Sequence, residues 1–241
     1  MKFSCLAWLF TGALVALVLP VHADPLSVDG VTEPILDVTL TASVPGIIRT
    51  EAFAEGDGVK KGDVILELDR NLEELELARR KAIMEKTKTD LEATRVLVTT
   101  TKSVSKDELT KKETEYAVAA ADHGIAAEEL ARRRIAAPFD GTIAEISLHA
   151  GAACAPYQPL VRVVDTTRCY FVGHVEGKSA ARLKLEQAVK IEVNGGAVVT
   201  GKISFISPVV DPASGLAKVK AVFENKEGRI RPGLTAKMIA E

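Results

Sequence analysis

The sequence predicts a mainly β protein that contains one inserted antiparallel α-helical hairpin and ends in a small β-barrel. Short segments of alternating hydrophobicity flank a long segment of helix-forming residues. The two flanking segments, 43–69 and 137–165, are copies of each other. A third region, 167–241, carries short strand-like segments that Gly and Pro residues separate at regular spacing.

Residues 1–23 have the features of a secretory signal peptide. Lys2 precedes the apolar run Phe3–Leu19, and the small-residue ending Val21-His22-Ala23 follows it. We expect cleavage before Asp24. The alternative is an uncleaved membrane anchor, because the apolar run is at the short limit for crossing a bilayer. In the first case the mature protein is exported and soluble.

The charge of the chain argues against nucleic-acid binding, and its cysteines leave open whether a disulfide forms. The chain has 241 residues with 31 Lys+Arg and 33 Asp+Glu, so its formal charge of −2 gives no basic field for nucleic acid. Beyond residue 23 the cysteines are Cys154 and Cys169. In an oxidising compartment they either form a disulfide or remain as two buried thiols.

The sequence offers no catalytic or metal-binding arrangement. It contains neither a Gly-x-Ser-x-Gly nor a His-Glu-x-x-His motif. No second His or Cys has the spacing of a metal ligand to His123, and His149 and His174 are likewise isolated. We therefore expect no enzyme activity, no catalytic residues, no cofactor and no bound metal.

The first strand-like region runs from Asp37 to Asp69. Its apolar residues alternate with polar ones, as in Val38, Leu40 and Ala42, and later in 64–68. Turn signals separate these stretches. We assign residues 24–42 to an N-terminal strand region that joins the barrel.

Residues 71–134 predict two antiparallel helices of about 28 residues each, which would form an arm roughly 40 Å long. Ser105 and Glu108 fit an N-cap and capping box, so the second helix is expected to begin there. On the second helix, residues of a coiled-coil seam recur every seven positions at Leu109, Tyr116, His123 and Leu130. On the first helix we expect the following residues to face that seam: Leu72, Leu75, Ala78, Ala82, Ile83, Leu91 and Val96-Leu97-Val98. An alternative role for 71–134 is a coiled-coil dimerisation element.

The repeat predicts how the flanking segments associate. Gly46, Ile48 and Gly56 are followed 95 residues later by Gly141, Ile143 and Gly151. Neither copy has enough inward-facing residues to bury a core by itself. We therefore predict one β-sandwich made of 43–70 plus 135–166, from which the hairpin projects outward.

The last region, 167–241, predicts a β-barrel. Its expected strands are Cys169–Val175, Val189–Val193, Ala197–Ile206, Ala217–Phe223 and Leu234–Ile239. We expect a helix at Lys178–Glu186.

The order of these parts resembles the periplasmic adaptor subunits, or membrane fusion proteins, of resistance-nodulation-division (RND) efflux pumps. The resemblance covers residues 30–241. It depends on four motifs, which are Glu55-Gly56-Asp57 with Val59-Lys60-Lys61-Gly62-Asp63, Ala137-Pro138-Phe139-Asp140-Gly141, Ile206-Ser207-Pro208-Val209-Val210-Asp211-Pro212, and Arg231-Pro232-Gly233-Leu234. It implies that the sandwich is a lipoyl-like barrel-sandwich hybrid. It also implies a short form in which a further membrane-proximal domain is absent or reduced to strands from about Pro25 to Leu36.

The same resemblance implies a function and a site. An adaptor of this family links an inner-membrane transporter, which the barrel contacts, to an outer-membrane channel, and several copies form a ring in the periplasm. The channel-docking tip falls on residues 101–109, which are Thr101, Lys102, Ser103, Val104, Ser105, Lys106, Asp107, Glu108 and Leu109. Alternative functions are an adaptor of an ABC-type exporter or type I secretion system, and a biotin- or lipoate-type carrier. A carrier would need a modifiable Lys on the hairpin between its halves, a place that residues 71–134 occupy.

Overall fold

The computed structural model describes residues 26–101, 103–194 and 196–240. The predicted signal peptide, residues 1–23, lies outside the described residues. The long helices are α1 (Asn71–Val96) and α2 (Lys106–Ala131), and a short helix α3 is Gly177–Ala180. The strands are β1 (Leu26–Thr41), β2 (Gly46–Glu51), β3 (Gly58–Val59), β4 (Val64–Leu68), β5 (Arg134–Ala136), β6 (Gly141–Ile146), β7 (Ala153–Cys154), β8 (Pro159–Glu176), β9 (Ala188–Val193), β10 (Ala197–Ile206), β11 (Leu216–Glu224) and β12 (Thr235–Ala240).

A closed six-stranded barrel forms the C-terminal part of the molecule. Its strand order is β1-β12-β9-β10-β11-β8, and antiparallel pairing of β8 with β1 closes it. The large side chains of Phe171, Ile191, Ile203 and Met238 are fully buried inside. The described part of the Pro25–Leu36 stretch, where the resemblance allowed a reduced further domain, pairs with β12 and β8 as part of this barrel. The predicted helix Lys178–Glu186 is wrong in extent, because only Gly177–Ala180 is helical and turns follow.

The barrel-sandwich unit uses the other halves of the same two long strands. One sheet has the order β3-β6-β8-β1, and the second has the order β5-β4-β2-β7. Their facing side chains bury a second hydrophobic cluster that is separate from the barrel core and includes Ile48, Leu66, Ile143 and Val161. Strands β1 and β8, of 16 and 18 residues, therefore run without a break from the sandwich into the barrel.

The backbone hydrogen bonds confirm the internal repeat. Gly56 N donates to Ile143 O at 2.8 Å, and Gly151 N donates to Ile48 O at the same distance. Both glycines have φ +91°, a left-handed conformation that favours glycine. The two halves are thus related by a pseudo-two-fold axis, and each half completes the core of the other.

The helical hairpin and the barrel leave the sandwich at opposite ends. The hairpin is inserted between β4 and β5, the last strand of one repeat and the first strand of the next. The equivalent strands across the pseudo-two-fold, β8 and β1, continue into the barrel. Each helix has 26 residues, so the hairpin is about 39 Å long.

The predicted packing face of α1 is wrong for most of its residues. Of the expected set, Leu91 is buried, and Leu72, Leu75, Ile83, Val96 and Leu97 are exposed, as are Ala78 and Ala82. The side of α1 that faces α2 instead carries Leu77, Met84, Leu91 and Val98, which are buried or half-buried. These four recur every seven residues, which is the spacing of a seam on a helix. On α2, the predicted seam residues are half-buried, with Ala119 and Ala126 buried between them.

The structure also answers the cysteine question. Cys154 and Cys169 are free and buried, one in the sandwich core and the other in the barrel core. Burial raises the pKa of the Cys169 thiol to about 11. The thiol is therefore protonated at neutral pH.

Candidate functional site

The far end of the hairpin begins where α1 changes its geometry. A π-helical turn, Leu97–Thr101, continues α1 through a run of β-branched residues that have low helix propensity. The Thr100 hydroxyl donates to Val96 O at 2.6 Å, and the Thr99 hydroxyl donates to Arg95 O at 2.8 Å. Such bonds to the preceding turn compete with the regular helical pattern. The sequence thereby ends the first helix in a local π-helical turn.

The second helix begins with the predicted cap. Ser105 is the N-cap of α2, and its hydroxyl oxygen accepts a hydrogen bond from Glu108 N at 3.2 Å. Asp107 and Glu108 lie in the first turn, where the helix dipole favours negative charge. The tip is therefore held by bonds local to each helix, and its loop 103–105 is short.

The structure brings the sequence-predicted site residues together around one turn. Ser103, Lys106 and Asp107 are exposed, and Val104, Glu108 and Leu109 are half-buried. Thr101 lies at the end of the π-helical turn, and Lys102 lies outside the described residues. The described site residues present hydroxyls, both signs of charge and a small apolar surface to solvent.

Sequence reasoning missed two apolar residues at this end. Val96 and Leu97 were assigned to the seam, but both are exposed. The heptad that includes Leu77, Met84 and Leu91 places them off the seam, and this signal is present in the sequence. They add exposed apolar surface next to the predicted tip.

Ion pairs join the two helices along the shaft. Arg95, six residues before the tip, pairs with Glu113 at 3.0 Å, and Arg80 pairs with Asp122 at 2.5 Å. Hydrogen bonds from the Arg79 and Arg80 guanidinium groups lower the pKa of Glu76 to about 2. The Arg95–Glu113 and Arg80–Asp122 pairs link the two helices on their solvent-exposed sides.

A second cluster of charges lies at the root, where the hairpin meets the sandwich. Arg133 pairs with Glu73 at 2.5 Å and also donates to Pro45 O at 2.9 Å. Glu67 on β4 contacts both Arg70 and Arg134, at 2.6 and 3.1 Å. This root cluster (Pro45, Glu67, Glu73 and the arginines 70, 133 and 134) ties α1 and the end of α2 to the sandwich.

The length of the hairpin, about 39 Å, suits its tip to contact with another macromolecule. Among residues 26–101, 103–194 and 196–240, no group of three or more His, Cys, Asp and Glu is placed to hold a metal ion. Neither long helix in that part of the chain has the apolar stretch that a membrane-crossing helix needs. A narrow tip at the end of a long hairpin can contact a partner far from the β body.

Comparison with known families gives two matches that together cover most of the chain. Residues 37–166 match the family model "RND MFP, barrel-sandwich hybrid domain". Residues 172–241 match the model "CusB-like, beta-barrel domain". The boundary between the two matches falls on β8, the strand that passes from the sandwich into the barrel.

Curated relatives and solved structures agree with these matches. The chain is 25% identical over 208 residues to the solvent efflux pump periplasmic linker SrpA of Pseudomonas putida (79% of this chain, 54% of SrpA). It is 26% identical over 231 residues to the efflux pump periplasmic linker BepF of Brucella suis (86% of this chain, 56% of BepF). It has the fold of a MacA-MexA chimeric protein that contains the Pseudomonas aeruginosa MexA α-hairpin domain, with a TM-score of 0.81, 22% identity and 90% and 81% of the two chains covered. The chain spans 54% to 56% of the length of these two linkers.

Proposed function

Since the chain belongs to the family of RND membrane fusion proteins, we propose that it acts as a periplasmic adaptor between an inner-membrane RND transporter and an outer-membrane channel. Members of this family are adaptors and not enzymes, so the proposed role involves no catalysis. Export by the signal peptide of residues 1–23 would place the protein in the periplasm.

The observation that carries this proposal is the placement of the hairpin and the barrel at opposite ends of the sandwich. The uninterrupted strands β1 and β8 join the sandwich to the barrel, and the root cluster joins it to the hairpin. A connector between two membrane proteins needs two separate contact surfaces on one body. This chain offers the hairpin tip and the barrel as those surfaces.

We assign channel docking to residues 101–109 at the hairpin tip. Heptad spacing on both helices supports a short coiled coil as the shaft that carries the tip. Each tip contact is small, so docking of useful strength requires several copies that act together, as a ring would provide. The relatives SrpA and BepF are named as efflux pump periplasmic linkers, which supports efflux as the process served.

An export assay with matched variants tests the tip assignment. Leu109→Glu adds a charge to a half-buried residue of the proposed tip, and Val118→Glu adds the same charge to an exposed residue farther down α2. In cells that depend on this protein, we expect Leu109→Glu to abolish export and Val118→Glu to preserve it. Circular dichroism and thermal unfolding of both variants check that the fold is intact.

Two results would contradict the assignment. One is unimpaired export by a folded Leu109→Glu variant. The other is an equal loss of export in both variants, because the effect would then follow added charge on α2 in general.

A further inference from the structure

The end of the barrel farthest from the sandwich is closed by two loops. The first is α3 with the following turns, 177–187, and the second is the connection from β10 to β11, residues 207–215. Ala180 and Leu183 of the first loop pack into the barrel core. The first loop therefore covers the barrel mouth, and its other side chains lie on the outer surface. Together we call these loops the barrel cap.

The barrel cap exposes apolar side chains that the fold does not bury. Leu185 is 63% exposed, Val209 68% and Val210 43%. The two loops are in contact, because Val210 packs over Gly177, whose N–H donates to Gly215 O at 3.3 Å. Val210 therefore lies next to the start of the first loop, which also carries Leu185.

The valine loop is held in place by its own hydrogen bonds. Ser207 Oγ donates to Val209 O at 2.7 Å, and the Asp211 carboxylate accepts bonds from the backbone N–H groups of Ala213 and Ser214. A loop fixed in this way loses little conformational entropy when it contacts a partner. The same bonds lower the pKa of Asp211, so its carboxylate keeps its negative charge at neutral pH.

Basic side chains surround this apolar surface. Lys178, Arg182, Lys184 and Lys218 are exposed, and none of them forms an ion pair with a described residue. Glu186 is paired with Lys202 at 3.5 Å, so the acidic residues to set against these four cations are Asp211 in the cap and Glu176 at the end of β8. Exposed aliphatic groups among unpaired cations are the chemistry that binds an anionic lipid surface.

We propose that the barrel cap binds the surface of an anionic lipid bilayer. Leu185, Val209 and Val210 enter the interface between headgroups and acyl chains, and the four cations contact the lipid phosphates. β1 begins at this same end of the barrel. A bilayer contact at the cap orients the hairpin away from the membrane. The proposal goes beyond the adaptor role and does not depend on the identity of the channel.

Vesicle flotation of the whole protein tests this proposal. The vesicles contain either phosphatidylcholine alone or phosphatidylcholine with phosphatidylglycerol. We expect binding only to the anionic vesicles, and we expect this binding to be lost at high salt. The double variant Lys178→Gln/Lys184→Gln should lower the partition coefficient by about 25-fold, since each cation near such a surface contributes about fivefold.

Two further variants separate the cap from the rest of the surface. The double variant Leu185→Asp/Val209→Asp should abolish binding to the anionic vesicles. Val198→Asp, a change of an equally exposed apolar residue at the opposite end of the barrel, should leave it unchanged. Three results would overturn the proposal. They are equal binding to both kinds of vesicle, an equal loss of binding in Val198→Asp, and no vesicle binding at all. The last result would be expected if the cap contacts a protein instead.

Discussion

At the residue scale, the Arg133 side chain joins the hairpin to the sandwich. It reaches Glu73 on α1 and Pro45 before β2, so one guanidinium contacts both the hairpin and the sandwich. The side chains of Arg133 and Glu73 are only 21% and 17% exposed. Removal of one partner from a pair in such a position costs more free energy of unfolding than removal from a surface pair.

We predict that Arg133→Gln lowers the free energy of unfolding by about 1–3 kcal/mol, because a partly buried carboxylate loses its charged partner. Lys81→Gln, which alters an exposed pair at 3.9 Å, should change it by less than about 0.5 kcal/mol. Denaturant unfolding of both variants measures the difference. Equal effects would show that the root pair has no special role.

Glu76 gives a prediction for acid stability. Its pKa is about 2 in the folded protein, against a usual value of 4.5, because Arg79 and Arg80 donate to it. A lowered carboxyl pKa stabilises the folded state above pH 4.5, and this contribution is lost as the pH falls toward 2. We expect Glu76→Gln to flatten the decrease in thermal stability between pH 5 and pH 2. An unchanged slope would contradict the assigned interaction.

Some of these residue roles were readable from the sequence and others were not. The cap at Ser105 and the glycine pair Gly56 and Gly151 were predicted, because they depend on local spacing and on the repeat. No local pattern in the sequence assigns Arg133 a partner. Its partner Glu73 is 60 residues away, and only the packed root brings the two together.

At the element scale, the face of α1 that packs on α2 differs from the face that we predicted from the sequence. The expected face of α1 followed the largest apolar residues, including Leu72 and Leu75, which the structure leaves exposed. The observed face follows the heptad Leu77, Met84 and Leu91, with polar residues such as Arg80 between them. The partner helix, and not apolar content alone, determines which face is covered.

Few residues of the hairpin are buried, since α1 buries Leu91 and α2 buries Ala119 and Ala126. We therefore predict that backbone amides of α1 and α2 exchange hydrogen faster than those of β4 and β8, through local opening of the hairpin. Hydrogen exchange measured by mass spectrometry tests this. Uniform protection over the chain would contradict it.

Leu91 gives a sharper test of the seam. Leu91→Ala should destabilise the hairpin by about 2 kcal/mol, because it removes a buried side chain. Leu75→Ala, at an exposed position of the same helix, should have little effect. Faster exchange in α2 of the first variant alone is the expected result. Equal exchange in both variants would place the seam elsewhere on α1.

At the scale of the whole molecule, the sequence repeat predicted that 43–70 and 135–166 meet in one β unit. The hydrogen bonds between the halves confirm this meeting. The sequence did not show that β8 continues for 18 residues from the sandwich into the barrel, because the repeat segment 137–165 was assigned to the sandwich and the strand Cys169–Val175 to the barrel. That continuity is what places the hairpin and the barrel at opposite ends.

The central claim is that the hairpin tip meets an outer-membrane channel at a distance from the β body. Site-specific cross-linking in cells tests it most directly, with a photoreactive residue at Lys106 on the tip or at Ile125 on the exposed shaft. The account predicts a cross-linked product between the Lys106 position and an outer-membrane channel protein, identified by mass spectrometry, and no such product from the Ile125 position. A channel product from Ile125 with none from Lys106, or no channel product from either, would contradict it.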